Sequence, residues 1–357
     1  MSEGRYLAIP PGALIPGSLP KFRIYVLSPQ GQYILWALEG KEVRPNQLDR
    51  LAEGGLKEVY IDIEEQFIYD RYLEDNLGEI LDSEWSSDDQ KASIFSRVST
   101  NVVKTAFETC FRLGTMSAEA LRQTQRMIEN ALRFITQSKS LQALAKMIGH
   151  NYQTYEHATK VLWFTVAFLR DNPGTVEEIL PGYQALSQRQ KAETLKQCGV
   201  AALLHDIGKA FVSKEILNKN DSLSTVEWEI MKRHPLSGLA MLVDADLPVF
   251  VKKAILHHHE DFDGGGYPLC LEGTSITTLA RVLRIVDTFD AMTSRRPYKG
   301  PVTAGKTAQI MIGLQKEQCG GNDDPQQDAR DAGMRRCFDD ELLQKFIIFL
   351  GNVKVEA

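Results

Sequence analysis

The segment Val200-Ala-Ala-Leu-Leu-His205-Asp206 constrains this chain more than any other, because five apolar residues run without a break into an imidazole and a carboxylate. A run of that kind belongs in a core, and a core accepts an unpaired carboxylate only at a large free-energy cost. A metal ion removes that cost by supplying the opposite charge and taking both side chains as ligands. A capping aspartate beside a hydrogen-bonded histidine would spell the same two letters, so the other histidines decide between the readings.

The chain has 7 His, and five of them (His157, His205, His234, His258 and His259) stand where a histidine-rich site would use them. His150 and His257 are assigned structural or supporting roles. Imidazole and carboxylate donors suit first-row metals such as iron, manganese, nickel or zinc. Cys110, Cys198, Cys270, Cys319 and Cys337 show no C-x-x-C spacing. That argues against a thiolate zinc site and against a disulfide framework, and it points to a reducing compartment.

Leu279, Val282, Leu283 and Val286 form an apolar helix stripe that ends in Asp287 and Asp290. Three residues apart, these carboxylates share a helix face, so one could ligate a metal while the other holds a histidine or orients a water. A solvated acidic helix end is the plainer alternative. Arg295, Arg296 and Lys299 follow at once, and Lys209 lies one turn beyond Asp206. Cations around a His/Asp metal centre are what an anionic phosphate substrate needs. The net charge of -6 argues against a general nucleic-acid binder, so polymeric nucleic acid is not the expected partner.

The remaining pattern indicates a mainly helical protein with a small α/β module at its start. Phe22 to Leu27 and Tyr33 to Leu38 are β-prone runs separated by Ser-Pro-Gln-Gly-Gln, which indicates a hairpin; a helix over Gln47 to Glu53 and a strand over Val59 to Ile63 follow. Residues 1–85 are expected to be a regulatory or interaction module with a protein partner or a sensory ligand. Residues 86–150 look like a helical linker. Its stripes, Ile94, Val98, Val102, Ala106 and then Thr124, Met127, Ile128, Ala131, Ile135, suit either homodimerisation or ordinary core packing, and Gly114-Thr115 could separate two helices. Residues 151–357 carry the chemistry. The polar segment Cys319 to Arg336 is expected to be a loop before a last helix over Asp339 to Leu350. The N-terminal residues show no export signal and the longest apolar run, Val161 to Leu169, is too short for a membrane span, so the expected location is cytoplasmic.

His258-His259-Glu260-Asp-Phe-Asp263-Gly-Gly-Gly266-Tyr267-Pro268, together with Leu-Leu-His205-Asp206-Ile-Gly-Lys209, His234-Pro235 and Asp287-Thr-Phe-Asp290-Ala-Met-Thr-Ser294-Arg-Arg296-Pro-Tyr298-Lys299, resembles the HD-GYP phosphodiesterases. These form a branch of the HD metal-hydrolase superfamily that cleaves cyclic di-GMP. The resemblance covers roughly Asn151 to Leu350 and implies an all-helical HD-GYP domain. It also implies one metal held by His157, His205, Asp206 and Asp287 and a second held by Asp206, His234, His258 and His259, with a hydroxide bridging the two. In this register His257 is not a ligand. Iron or manganese is the family expectation. Gln153 stands where some members use a Glu for a third metal, which favours two. Asp206, Lys209 and Asp290 are the implied catalytic residues, and Lys209, Tyr267, Arg296 and Lys299 the implied substrate contacts. The implied product is pGpG, with GMP as a further one. A catalytically weak receptor for cyclic dinucleotides and a phosphodiesterase for cyclic GMP-AMP are the alternative readings.

Overall fold

A computed structural model describes residues 5–53, 56–137, 143, 154–219, 221–294, 300–314 and 334–353. These residues fall into two compact units, Met1–Asn101 and Val102–Ala357. Among them no helix is long and apolar enough to cross a membrane.

The first unit is built on an antiparallel sheet of β1 (Tyr6–Ile9), β2 (Ile24–Leu27), β3 (Tyr33–Ala37) and β4 (Val59–Asp62), in the order β1-β4-β2-β3. The hairpin expected from sequence is β2–β3, with Val26 opposite Ile34 and Leu27 opposite Tyr33. Its turn is closed by Ser28 N donating to the Gln32 carbonyl at 2.8 Å. Strand β1 is an addition to the sequence reading. It pairs with β4 from Tyr6–Asp62 to Ile9–Val59 and runs directly into Pro10 and Pro11. Ile9, Ile24, Val59 and Ile61 are buried. Tyr6, Tyr25, Tyr33 and Tyr60 meet one another, with Tyr6 stacked on Tyr33 at 4.0 Å. Helices α1 (Pro45–Glu53), α2 (Gln66–Asp75) and α3 (Leu77–Asp82) complete this part, and Phe22 packs edge-on to Tyr69 and Tyr72 of α2.

The stripes in the linker become α4 (Asp88–Leu113) and α5 (Ala118–Ile135), both with those stripes buried. Gly114 turns the chain between them at φ 72°, a backbone conformation that a side chain disfavours. Ser117 caps α5 by accepting from Ala120 N.

In the second unit the longest apolar run becomes a central helix, α6 (Thr154–Asp171), buried from Val161 through Leu169. A helix that is apolar all round must be surrounded by protein. After the short α7 (Pro173–Ile179), α8 (Gln188–Leu204) opens with a Ser187–Gln190 capping box and packs against both α5 and α6. The short α9 (Lys214–Leu217), α10 (Thr225–Met231) and α11 (His234–Met241) precede α12 (Val249–His257), which packs on α8, α11 and α13 (Thr278–Thr293). Helices α14 (Ala304–Met311) and α15 (Asp340–Val353) close the chain. Phe164, Phe168, Phe289 and Phe346 tie α6, α13 and α15 together through edge-on contacts at 5.3 to 6.2 Å. The last helix is therefore where the sequence placed it, to within a turn. Most of the polar segment before it lies outside the described residues.

Candidate metal centre

Every candidate ligand stands at a helix terminus or in the first or last turns of a helix. His157 is in the first turn of α6. His205 ends α8 and Asp206 opens the 3-10 turn Ile207–Phe211. His234 begins α11, His258 ends α12 with His259 next, and Asp287 and Asp290 lie near the end of α13. The packing of these helices gathers the donor atoms of Asp206, His234, His258 and His259 within 4.8 Å of one another, and does the same for His157, His205 and Asp287. His257, although buried, belongs to neither group.

Asp206 joins the two. Its Oδ1 lies 3.2 Å from His234 Nε2 and 3.8 Å from His258 Nε2. Its Oδ2 lies 3.4 Å from His205 Nε2 and 3.9 Å from His157 Nε2. Asp287 Oδ1 is 3.0 Å from His157 Nε2, and its Oδ2 is 3.9 Å from His259 Nδ1.

The ring nitrogens are assigned by their partners. His205, His234 and His258 each place Nδ1 at 2.7 to 2.8 Å from the carbonyl three residues earlier, Ala202, Met231 and Ile255. A carbonyl only accepts, so each Nδ1 is the protonated nitrogen, and in the neutral ring each Nε2 presents a lone pair to the site. His234 Nε2 and His258 Nε2 then face each other at 3.1 Å. Two lone pairs at that separation repel unless a cation lies between or beside them. His205 Nε2 is buried and makes no hydrogen bond. The donor set, imidazole nitrogens with two carboxylates and no thiolate, fits divalent first-row metals.

Electrostatics agree with that fit. Burial depresses His258 to about 4 and holds His259 well below the ordinary imidazole range, so both are neutral near pH 7. Burial works against ionising Asp206 and Asp287, yet Lys209 and His205 beside the first, and His157 beside the second, hold both well below the usual carboxylate range. Lys209 Nζ donates to Asp206 Oδ2 at 2.6 Å.

Asp290 is fully buried and does not join either group; its Oδ2 accepts from His157 Nδ1 at 2.7 Å. Lys160, one turn after His157, donates to Ser294 Oγ at 2.9 Å, and Ser294 Oγ donates to Asp290 Oδ1 at 3.1 Å. This chain of contacts fixes the imidazole's tautomer and orientation. Tyr267 stacks on His259 at 4.9 Å. Its loop is held by buried Glu260, whose carboxylate accepts from Leu269 N at 2.7 Å and Leu271 N at 2.9 Å.

Two glycines set the close approaches. A Cβ on Gly208 would lie 2.0 Å from the His234 carbonyl oxygen, and one on Gly266 would lie 2.1 Å from Asp261 N. The first brings the turn carrying Asp206 against the helix carrying His234; the second folds the Tyr267 loop back on the segment carrying His259. Glu260, Lys160, Ser294 and Gly208 received no role from sequence. Glu260 and Gly208 lay within the quoted motifs, whereas Lys160 becomes a candidate only once α6 and α13 are adjacent. Gln153, Arg296 and Lys299 lie outside the described residues.

The HD domain family matches residues 174–321. A protein of Pseudomonas aeruginosa named cyclic di-GMP phosphodiesterase is 41% identical over 133 residues, covering 37% of this chain and 31% of that protein. A Vibrio cholerae protein named 3'3'-cGAMP-specific phosphodiesterase 2 is 39% identical over 105 residues, covering 29% of this chain and 20% of that protein. The chain thus matches less than a third of the length of these curated relatives. A solved HDG"Y"P protein from Bdellovibrio bacteriovorus shares the fold, with a TM-score of 0.59 and 18% identity over 97% of this chain and 99% of that one. Residues 174–321 are therefore similar to the HD domain family, and several curated relatives of this stretch of chain are named cyclic di-GMP phosphodiesterases.

Proposed function

We propose that this protein is a metal-dependent phosphodiesterase that opens cyclic di-GMP to the linear dinucleotide pGpG. The observation that carries this reading is the buried carboxylate of Asp206, set between two groups of imidazole nitrogens that converge on it. His157, His205, Asp206 and Asp287 would hold one divalent metal and Asp206, His234, His258 and His259 a second, with iron or manganese expected. Metals bound there supply the Lewis acidity that lowers the pKa of water and offsets the charge on a phosphate.

The protein's own side chains prepare that site. Asp290 holds His157 in the tautomer that points Nε2 inward. The three backbone carbonyls do the same for His205, His234 and His258. Lys209 neutralises Asp206 from the site's edge and, with Arg296 and Lys299, supplies positive charge for the phosphodiester as negative charge develops in the transition state. Tyr267 stacks on His259 and holds that ring in place beside the site. Residues 1–85 are proposed as a regulatory or interaction module and 86–150 as a linker able to dimerise.

The test is hydrolysis of cyclic di-GMP by the full chain, followed by chromatography, with Asp206→Ala as the control. Formation of pGpG by the parent protein alone supports the reading; binding without cleavage replaces it with a receptor. The relatives named for 3'3'-cGAMP support a second substrate, so cyclic GMP-AMP belongs in the same assay.

A further inference from the structure

Beside the candidate metal centre is a cavity of about 370 Å³ lined by Trp228, Lys232, Asp261, Tyr267 and Arg284 among others. Small-molecule clefts run from roughly 300 to 1,000 Å³, so this one lies at the small end of that range. Its walls are ordered as an aromatic ladder leading away from the ligand group. Tyr267 stacks on His259 at 4.9 Å, and Trp228 then meets Tyr267 edge-on at 6.1 Å and 78°. Trp228 remains 45% exposed, in contrast to fully buried Trp163. Core packing does not account for an indole in that position.

The polar groups of the cavity are fixed as well. Arg284 donates through Nε to Asp261 Oδ1 at 2.8 Å and through Nη1 to Thr288 Oγ1 at 3.0 Å. Lys232, one turn beyond Trp228, is steadied by Glu229 at 2.5 Å. An exposed π face next to a fixed carboxylate–guanidinium pair and an ammonium suits a planar heterocycle with a polar edge, which describes a nucleobase. With the phosphodiester at the His259 end, the base attached to it reaches the Trp228 end.

We propose that Trp228 is the base-stacking residue of the substrate site, with the polar edge of the nucleobase facing Lys232 and the Asp261–Arg284 pair. This rests on the phosphodiesterase reading and adds to it the residue that selects a nucleotide over a simple phosphodiester. Base–aromatic stacking is worth roughly 1 to 3 kcal/mol by alanine substitution. Trp228→Ala should therefore raise KM for cyclic di-GMP about 10- to 100-fold, with kcat changed less than about twofold.

The experiment uses the metal-loaded full chain and measures two substrates, cyclic di-GMP and the base-free diester bis(4-nitrophenyl) phosphate. It also measures quenching of tryptophan fluorescence by cyclic di-GMP, which needs no turnover. The expected results are a KM increase confined to the dinucleotide, recovery in Trp228→Tyr, and quenching that disappears in Trp228→Phe. An unchanged dinucleotide KM in Trp228→Ala, or an equal loss on both substrates, overturns the stacking role. A parent protein that cleaves neither substrate refutes the phosphodiesterase reading instead, and the fluorescence arm still decides the role of Trp228: quenching that persists in Trp228→Phe rejects it.

Discussion

Replacing Gly208 by alanine perturbs the centre without changing the side chain of any candidate ligand. The added Cβ would stand 2.0 Å from the His234 carbonyl oxygen and 2.5 Å from Gly238 N, against ordinary contact distances that begin at 3.4 Å. Both obstacles are backbone atoms of α11, so the clash is not relieved by rotating a side chain. The 3-10 turn and α11 must separate by more than an ångström, which carries Asp206 away from His234, now 3.2 Å apart. Displacements of about 1 Å at a reacting centre cost on the order of 100-fold in rate, and overpacking costs about 1 to 3 kcal/mol of stability. Gly208→Ala should therefore lower kcat/KM on cyclic di-GMP roughly 100-fold and weaken metal retention, with a melting temperature lower by about 2 to 10 °C. Hydrolysis, metal content and thermal unfolding on one preparation measure all three. A variant with parental activity and metal content would refute the claim that this close approach sets the site.

Asp290→Asn removes the carboxylate that orients His157 and should weaken metal binding about 10- to 100-fold in a competition titration, with the fold intact; unchanged affinity would contradict the role. Glu260→Ala leaves the Leu269 and Leu271 amides without their acceptor and should cost about 3 kcal/mol in urea unfolding, whereas Glu260→Gln keeps one bond and should cost less; equal, negligible losses count against this account. In metal-free protein, burial holds His258 at about 4 in the fold against 6.5 unfolded, so the unfolded chain binds this proton first as pH falls. The contribution is whole above pH 6.5 and shrinks as pH falls toward about 4, where roughly 3 kcal/mol has been lost. His258→Gln should show a correspondingly flatter dependence in urea melts between pH 7 and 5; parallel curves would reject the assignment.

Sequence reading succeeded where information is local. The period of α5, the β2–β3 hairpin and the helix after residue 339 all follow from neighbouring residues, whereas the choice of His258-His259 over His257 came from the resemblance to the HD-GYP signature; the donor atoms of His258 and His259 lie in one of the gathered groups and those of His257 do not. It failed where meaning arises from distant contacts. Strand β1 exists because β4 pairs with it, 50 to 56 residues away. Lys160 looked like an ordinary helix lysine until Ser294 and Asp290 stood beside it. Trp228 lies in a polar helix with no motif of its own, and only the fold places it next to Tyr267. Asp290 was read as catalytic, and its position behind His157 gives it an orienting part in the proposed mechanism.

If the imidazoles around Asp206 hold two metals that support cleavage of a cyclic dinucleotide, metal and turnover must be lost together. The direct measurement is metal content and cyclic di-GMP turnover on one anaerobically purified sample of the full chain, alongside His205→Ala/Asp206→Ala. The expected result is about two metals per chain with pGpG as product, both lost in the double variant. Turnover that persists in the metal-depleted double variant, or a parent protein that holds no metal, would contradict it.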